Sequence, residues 1–360
     1  MNRIFSSAIT YNKGAWALHQ LRGIVGTPTF FNILAAHRAA HGGSSATTDD
    51  FKNVASAVAG RDLSWYFNQS VYGAGLPGYA SGFNVVTVNN KTYLLLRVRQ
   101  TQNNPSFGVG GVFTFPIDVR TVTGANGTVN AKIWNNALTE HYVIPLGGPT
   151  GISSVTLDPD VWILNSGRAS ETFVAGPTAV VETLPAPDAS VPAASSPDRV
   201  RVFFSGSPIF NRESDYAVTR QSTSGPVAVP FTVEVTAQFE RTLNFGAPLT
   251  PGVYTVTVRD TVGGTTPLDG ERTTPGTVGY YPGGLPSGDG QPGGDCVFSF
   301  TIVAPPCVAD LNNDGELTFD DIQQFVALYN ANDPRADFNS DGEWTFDDIQ
   351  AFIAAFNAGC

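Results

Sequence analysis

The sequence has few charged residues and no long apolar run. Charged residues make up 14% of its 360 residues, whereas roughly 25% is typical of globular proteins. No apolar stretch approaches the roughly 18 residues that indicate a membrane-spanning helix. The first residues, MNRIFSSAITYNKG, also lack the apolar segment of a signal peptide. We therefore expect no membrane span, and a protein without its own export signal in this sequence.

Glutamate is missing from the N-terminal region, and the first one in the chain is Glu140. This matters for the stretch HRAAH, in which His37 and His41 are spaced to share one helix face, as in the H-E-x-x-H zinc motif. Arg38 stands where that motif has its glutamate. An arginine repels a cation and cannot accept a proton at neutral pH. The sequence therefore predicts no zinc site at this helix.

The chain is acidic, with a formal net charge of −11 and a pI near 4.7. Its acidic residues are concentrated in the last sixty positions. Such a charge disfavours nucleic acid and anionic membranes as partners. Clustered Asp and Asn instead favour a hard cation such as calcium.

The remaining composition predicts a multidomain, mainly β protein with helical ends. Glycine (38) and proline (25) are abundant, which favours short strands and many turns. The stretch PTFFNILAAHRAAH is predicted to be a helix whose Phe30, Phe31, Leu34 and Ala35 face the core. The predicted domains are a helical segment (1–80), a β-sandwich (81–166), a Pro/Ala/Ser-rich linker (167–197), an Ig-like β-sandwich (198–304) and a small calcium-loop–helix repeat domain (305–360).

The strongest internal repeat occupies the C-terminus, where DLNNDGELTFDD recurs as DFNSDGEWTFDD 27 residues later. Calcium takes six to eight oxygen ligands, and loop positions 1, 3, 5, 7 and 12 supply them, with glycine at position 6. An apolar helix stripe follows each loop. The predicted ligands are Asp310, Asn312, Asp314, Glu316 (backbone) and Asp321 in loop 1, and Asp337, Asn339, Asp341, Glu343 (backbone) and Asp348 in loop 2. We expect about two calcium ions.

This repeat closely resembles a type I dockerin module, because position 12 is Asp and no helix precedes either loop. Cys307 and Cys360 flank the repeat and are a candidate disulfide, while the pairing of Cys296 stays open. The resemblance implies attachment to a cell-surface or cohesin-like partner. Loop positions 10 and 11, where dockerins often carry small hydroxyl residues, are Phe319-Asp320 and Phe346-Asp347 here, which argues against cohesin itself.

Residues 1–80 resemble the C-terminal part of the catalytic domain of aminopeptidase N family (gluzincin) zinc metallopeptidases. The motifs ITYNKGAWALHQLRGIVG, TTDDF and GRDLSWYFNQSVYGAGLPGY occur in family order. Residues 81–166 resemble the β-sandwich that follows in that family, notably in LRVRQTQ, FTFPIDV and VTLDPDVWIL. The resemblance implies that Tyr11 donates a hydrogen bond to the oxyanion of the reaction in an intact enzyme.

The expected function is therefore the C-terminal portion of a secreted or cell-surface, bacterial-type zinc aminopeptidase with a calcium-binding attachment module. The H-E-x-x-H motif and third zinc ligand are missing, so we expect no zinc in this chain and no peptide turnover unless the missing half is supplied. Met1 lies in the middle of a domain, which suggests an incomplete N-terminus. The alternatives are a non-catalytic extracellular calcium-binding adhesion protein and a scaffold-associated component of polysaccharide degradation.

Overall fold

The computed structural model describes residues 7–102, 111–208, 210–272, 284–304 and 307–359. This part of the chain is mainly β, with four sheets and six α-helices. The helices lie at the two ends of the sequence and the sheets lie between them. None of the helices in these ranges is long and apolar enough to cross a bilayer.

The N-terminal segment is a helix array. Its elements are α1 (Lys13–Val25), α2 (Thr27–His41), α3 (Thr48–Ala59) and α4 (Ser64–Phe67), with π-helical turns at Ser7–Asn12 and Asn68–Tyr72. Helix α3 begins with a capping box, because Thr47 and Asp50 exchange side-chain and main-chain hydrogen bonds. On α2, Phe30 and Ile33 are buried, whereas Phe31 is 55% exposed. Ala35 is exposed as well, so the predicted inward positions of Phe31 and Ala35 are wrong.

Two sheets follow the helices. Their strands are β1 (Tyr79–Val88), β2 (Lys91–Gln100), β3 (Phe115–Thr123), β4 (Thr128–Asn135), β5 (Thr139–Pro145), β6 (Ile152–Leu157) and β7 (Arg168–Ser170). They form the sheets β5-β2-β1-β7 and β4-β3-β6. Asn89 and Asn90 connect β1 to β2 with φ angles of 46° and 59°, the geometry of a tight hairpin turn that suits asparagine.

The helices and these two sheets share one hydrophobic core. Leu21, Ile33 and Tyr66 from the helices belong to the same buried cluster as Leu94 and Phe115 from the sheets. Trp162, in the loop between β6 and β7, packs so closely on α1 that a Cβ at Gly23 would lie 3.0 Å from its ring. The predicted boundary between residues 80 and 81 therefore lies within the start of β1 and does not separate two cores.

The predicted linker, residues 167–197, contributes strands to both neighbouring sandwiches. β7 pairs in parallel with β1, while β8 (Val180–Leu184) and β9 (Ser190–Pro192) join the two sheets of the next sandwich. These strands are three to five residues long and several prolines flank them, so the sequence shows no sustained alternation. The prediction of an unstructured linker is therefore wrong, because strands this short leave no pattern in the sequence.

The second sandwich completes its two sheets with seven further strands. They are β10 (Arg199–Phe204), β11 (Tyr216–Ser222), β12 (Gly225–Ala228), β13 (Thr232–Ala237), β14 (Glu240–Asn244), β15 (Gly252–Val258) and β16 (Cys296–Val303). The sheet orders are β13-β14-β10-β8 and β12-β11-β15-β16-β9. A small apolar cluster joins the two sandwiches, with Val88 and Tyr93 from the first and Val181 and Phe203 from the second.

The C-terminal repeat forms two loop–helix units. Helix α5 (Phe319–Asn330) follows the first loop, a short 3₁₀ turn (Pro334–Ala336) precedes the second, and α6 (Phe346–Ala358) follows it. Phe325 and Phe352, at equivalent repeat positions, stack with ring centroids 4.0 Å apart and planes within 1° of parallel. The two units therefore pack against each other through equivalent residues of the repeat.

Candidate calcium site

The first acidic loop is held in a tight turn by its own side chains. The Asp310 carboxylate accepts hydrogen bonds from the main-chain N–H groups of Asp314 (3.2 Å) and Gly315 (2.9 Å). Asn312 Oδ1 accepts the Asp314 N–H at 2.9 Å, and the Asn312 amide donates to the Asp314 carboxylate at 2.8 Å. The side chains at loop positions 1, 3 and 5 are thus gathered on the inner side of one turn.

The second loop repeats this network bond for bond. Asp337 accepts from the N–H groups of Asp341 (3.1 Å) and Gly342 (2.9 Å). Asn339 accepts from Asp341 at 3.0 Å and donates to its carboxylate at 2.8 Å. The N–H of Glu343 donates to Asp341 at 2.8 Å, as that of Glu316 does to Asp314 at 2.9 Å. Two separate sequences therefore adopt one geometry.

Glycine at loop position 6 follows from the backbone conformation. Gly315 and Gly342 have φ angles of 85° and 81°, a region that residues with a Cβ rarely adopt. Asn313 and Ser340, at position 4, also have positive φ angles of 57° and 58°. Each loop thus has left-handed backbone at positions 4 and 6.

The acid at position 12 links each loop to its helix. Asp321 is buried, and its Oδ1 accepts the N–H of Leu311 at 2.9 Å while its Oδ2 accepts the N–H of Thr318 at 2.9 Å. The latter bond is half of the capping box of α5. The Thr318 N–H is the main cause that lowers the pKa of Asp321 below its ordinary value.

Asp348 plays the same part in the second unit. It is buried, accepts from Asn339 (3.2 Å) and Thr345 (2.8 Å), and has its pKa lowered chiefly by the Thr345 N–H. Because these bonds hold the charged form of each carboxyl, both position-12 acids are anionic at neutral pH. Each loop thus presents an ionised carboxylate at the last ligand position.

The carboxylates of the two loops, the Asn312 and Asn339 amides and the Glu316 and Glu343 main-chain oxygens are all hard oxygen donors. This donor set suits calcium, which takes six to eight oxygens in flexible geometry. Within the described ranges, one group of three acidic side chains has all its ligand atoms within 4.8 Å of one another, and it lies elsewhere, at Asp269, Glu271 and Asp289. In the described part of the chain, the acids of the two loops do not form such a group.

The module has a small hydrophobic core and a disulfide-bonded cysteine. Its fully buried apolar residues are Ala309, Phe325, Ala336 and Phe352. Cys307 is disulfide-bonded, and its proposed partner Cys360 lies outside the described residues. Cys296 is a free, buried thiol, so it does not pair with Cys307. A core of this size needs support from cross-links or metal ions.

The outer face of the module is apolar. Phe319 and Phe346, at loop position 10, are 67% and 65% exposed. A groove runs between α5 and α6, and its lining includes the half-exposed side chains of Val326 and Ile353. Large exposed side chains at both copies of position 10 match the sequence difference from the small hydroxyl residues of dockerins.

The zinc-related residues do not gather into a site. Tyr11 lies at the end of the first π-helical turn and is 58% exposed. His37 and His41 are neighbours on α2, with ring centroids 5.0 Å apart, and His37 packs edge-on against Phe51. His37 and Phe51 therefore form a packing contact between α2 and α3.

Comparisons with known proteins give only weak likenesses. No family model matches the chain, and no curated protein gives a significant match. Among solved structures, aminopeptidase A of Legionella pneumophila, in complex with aspartic acid, is 12% identical with a TM-score of 0.36. The match covers 48% of this chain and 19% of that one.

Two structures of PcoC, a copper resistance protein of Escherichia coli, are also similar in part. They are 17% and 14% identical, with TM-scores of 0.22 and 0.23. The matches cover 34% and 35% of this chain and 97% and 99% of PcoC. At these scores, the likenesses to PcoC and to the aminopeptidase assign neither a fold family nor an activity to the chain.

Proposed function

We propose that residues 305–360 form a calcium-binding attachment module that binds about two calcium ions. The observation that carries this proposal is the duplication of the hydrogen-bond network in the two acidic loops. Both loops place oxygen donors at positions 1, 3, 5 and 12 of the same turn, although their sequences differ at positions 2, 4 and 8. A requirement for oxygen donors explains why positions 1, 3, 5 and 12 are identical in the two loops, and the turn and helix start explain the glycine at position 6 and the threonine at position 9.

Calorimetry of the full chain tests this proposal. We expect about two bound calcium ions for the unaltered chain, and one each for Asp310→Ala and Asp337→Ala, because each variant removes the first ligand of one loop. Asp310→Asn keeps an acceptor for the turn while removing charge, so it should weaken binding even if the alanine variant folds poorly. Asp320→Ala, which removes an exposed acid at position 11, is the matched control and should retain both ions.

The proposal fails if the unaltered chain shows no calcium binding in this titration. It also fails if Asp310→Ala and Asp337→Ala bind as many ions as the Asp320→Ala control. Either result would mean that the acidic turns serve only to begin α5 and α6.

We also propose that the described N-terminal helices and first sandwich derive from a secreted zinc aminopeptidase. The support is the sequence motifs and the contacts among them. Lys13, in the motif that contains Tyr11, donates to the main-chain oxygen of Gly73 at 3.0 Å. His19 stacks on Trp162 of the DPDVWIL motif at 4.7 Å. The motifs that resemble the family thus pack as one unit around α1.

In an intact enzyme of this kind, Tyr11 would stabilise the oxyanion formed at the substrate carbonyl. This chain alone should not turn over aminoacyl chromogenic substrates in the presence of zinc. Turnover that Tyr11→Phe abolishes would contradict this expectation. An in-frame H-E-x-x-H encoded upstream of Met1 would support the enzyme origin, whereas its absence would favour a non-catalytic calcium-binding adhesion protein.

The exposed aromatic residues of the module indicate which kind of surface its partner presents. Phe319 and Phe346 occupy the positions that often recognise cohesin in dockerins, and they present an apolar pair instead of hydroxyl groups. We therefore propose a cell-surface partner with an apolar contact surface. Loss of binding to extracted cell walls in Phe319→Ser/Phe346→Ser, with calcium binding intact, is the expected result, and unchanged binding would contradict it.

A further inference from the structure

Three carboxyl groups meet where the second sandwich contacts the first. One carboxylate oxygen from each of Asp269, Glu271 and Asp289 lies within 4.8 Å of the other two. Asp269 is only 4% exposed. A Cβ at Gly288 would lie 2.3 Å from the Asp269 carboxylate, so this glycine is what allows the loop to close over the acid. We call these three residues the acidic triad.

Asp269 holds the adjacent loop, residues 287–291, in place. Its two carboxylate oxygens accept the main-chain N–H groups of Asp289 (2.9 Å) and Gly290 (3.1 Å). Its main-chain oxygen accepts the Ser287 hydroxyl at 2.7 Å. The conformation of this loop therefore depends directly on the position of one buried side chain.

The same loop binds the edge strand of the first sandwich. The main-chain oxygen of Gly290 accepts the N–H of His141 on β5 at 3.1 Å. The Gln291 amide donates to the main-chain oxygen of Thr139 at 2.9 Å. Asp269 is thus connected, through the 287–291 loop, to the junction between the two sandwiches.

The charged groups around the triad do not neutralise it. Lys132, on β4, pairs with Asp118 at 2.5 Å, and Arg272 pairs with Asp188 at 3.3 Å. Asp260 adds a further negative charge that acts on Glu271. Three carboxylates at this spacing repel one another strongly when all are ionised.

Two groups on β5 also face the loop. Burial lowers the pKa of His141, and the Arg97 charge lowers it further, so His141 is neutral at pH 7. Glu140 has its pKa raised by burial, and its carboxylate accepts the Tyr142 hydroxyl at 2.9 Å and the Asn136 N–H at 3.0 Å. Neither residue supplies a positive charge to the triad at neutral pH.

We propose that the acidic triad is a proton-dependent latch, in which a proton held on Asp269 within this cluster keeps the 287–291 loop closed on the first sandwich. Loss of this proton leaves the buried Asp269 anion beside the carboxyl groups of the half-buried Glu271 and the exposed Asp289, and their repulsion favours release of the loop. The device is independent of the calcium module and of the peptidase resemblance. It makes the rigidity of the sandwich junction depend on pH.

The direction of the dependence follows from the ionisation of Asp269. Burial raises its pKa to about 8 in the closed state, even though the Asp289 and Gly290 N–H groups favour the anion. Burial likewise raises the pKa of Glu271. In an open loop, Asp269 would titrate near 3.9. The closed state is therefore fully favoured below about pH 4, loses support up to about pH 8, and changes no further above it.

Hydrogen exchange on the full chain tests the latch. Protection factors, corrected for the intrinsic pH dependence of exchange, are measured in chelator between pH 5 and 8 for the amides of Asp289, Gly290 and His141. We expect opening of these amides to increase with pH, by at most about tenfold per unit. The amide of Leu96, in the core of the first sandwich, is the control and should show no such change.

Asp269→Asn should remove the pH dependence of exchange at these amides, because the side-chain amide carries no charge, although it keeps only one of the two acceptor oxygens. Glu271→Gln should reduce the dependence, and it keeps the test valid if Asp269→Asn does not fold. Constant protection in the unaltered chain, or an unchanged dependence in a folded variant, would overturn the proposal. Calcium that restores protection at pH 8 would also overturn it, since a cation and not a proton would then occupy the triad.

Discussion

The helices at the two ends of the chain are stabilised in different ways. Helices α1 to α4 share a large hydrophobic core with the first sandwich, to which Ile33 and Tyr66 contribute fully buried side chains. Helices α5 and α6 close around a small cluster of their own, centred on the Phe325–Phe352 stack. Helices of similar length can thus depend on a neighbouring domain in one place and on a small core of their own in another.

The largest expected effect comes from truncating the core of each region. Phe352→Ala removes one ring of the central stack and should cost about 3–5 kcal/mol, enough to unfold the C-terminal module in a full chain whose sandwiches stay folded. Ile33→Ala should cost about 2–5 kcal/mol, shared by the helices and the first sandwich because they form one core. Hydrogen exchange resolved by peptide measures both effects.

Destabilisation of the sandwiches by Phe352→Ala would contradict the claim that α5 and α6 have a separate core. The comparison would also fail if Ile33→Ala released the helices while the first sandwich kept its full protection. Phe31→Ala, at an exposed neighbour of Ile33, is the matched control and should change little.

Acid should act on the C-terminal module through its position-12 residues. Asp321 and Asp348 have lowered pKa values in the folded state. Their stabilising contribution is therefore present above the ordinary pKa of about 3.9 and is lost as the pH falls through the lower folded value. In chelator, we expect the melting temperature of α5 and α6 to fall as the pH drops below about 4.

Asp321→Asn should lower the stability of the module at pH 7 and flatten this acid dependence. Asp320→Asn, at the exposed neighbouring position, is the control and should leave both unchanged. Equal behaviour of the two variants would show that the buried carboxylate does not hold the loop to its helix.

The smallest expected effects come from the two capping boxes. Thr47→Ala on α3 and Thr318→Ala on α5 should each cost about 1 kcal/mol. The cost at Thr318 should depend on calcium, because its partner Asp321 is also the proposed position-12 ligand, whereas the cost at Thr47 should not. Thermal unfolding with and without calcium separates the two, and equal calcium dependence would contradict the proposed linkage.

Local sequence patterns are sufficient to explain features that depend on local spacing. The hairpin at Asn89–Asn90 follows from a two-residue turn signal between alternating runs. The starts of α5 and α6 follow from Thr318 and Thr345, each with an Asp three residues later. The turn at Gly315 follows from the D-x-N-x-D-G spacing. Each of these features is fixed by fewer than a dozen consecutive residues.

Features that depend on distant residues escaped prediction. The acidic triad joins Asp269 to Asp289 across a Gly/Pro-rich stretch in which no periodicity places them together. Strand β8 has too few residues to show alternation, and it is held by pairing with β10. Phe31 follows the helical spacing of a core residue but lies exposed, with the Arg22 guanidinium 5.8 Å from its ring, because Ile33 fills the core position instead. Tertiary packing decided each case.

The most direct test of the central claim is hydrogen exchange of the full chain with and without calcium, resolved by region. We predict that chelation sharply lowers the protection of α5 and α6, by the free energy of binding that the two sites supply, and leaves α1 to α3 unchanged. Equal protection of α5 and α6 in calcium and in chelator would contradict the account.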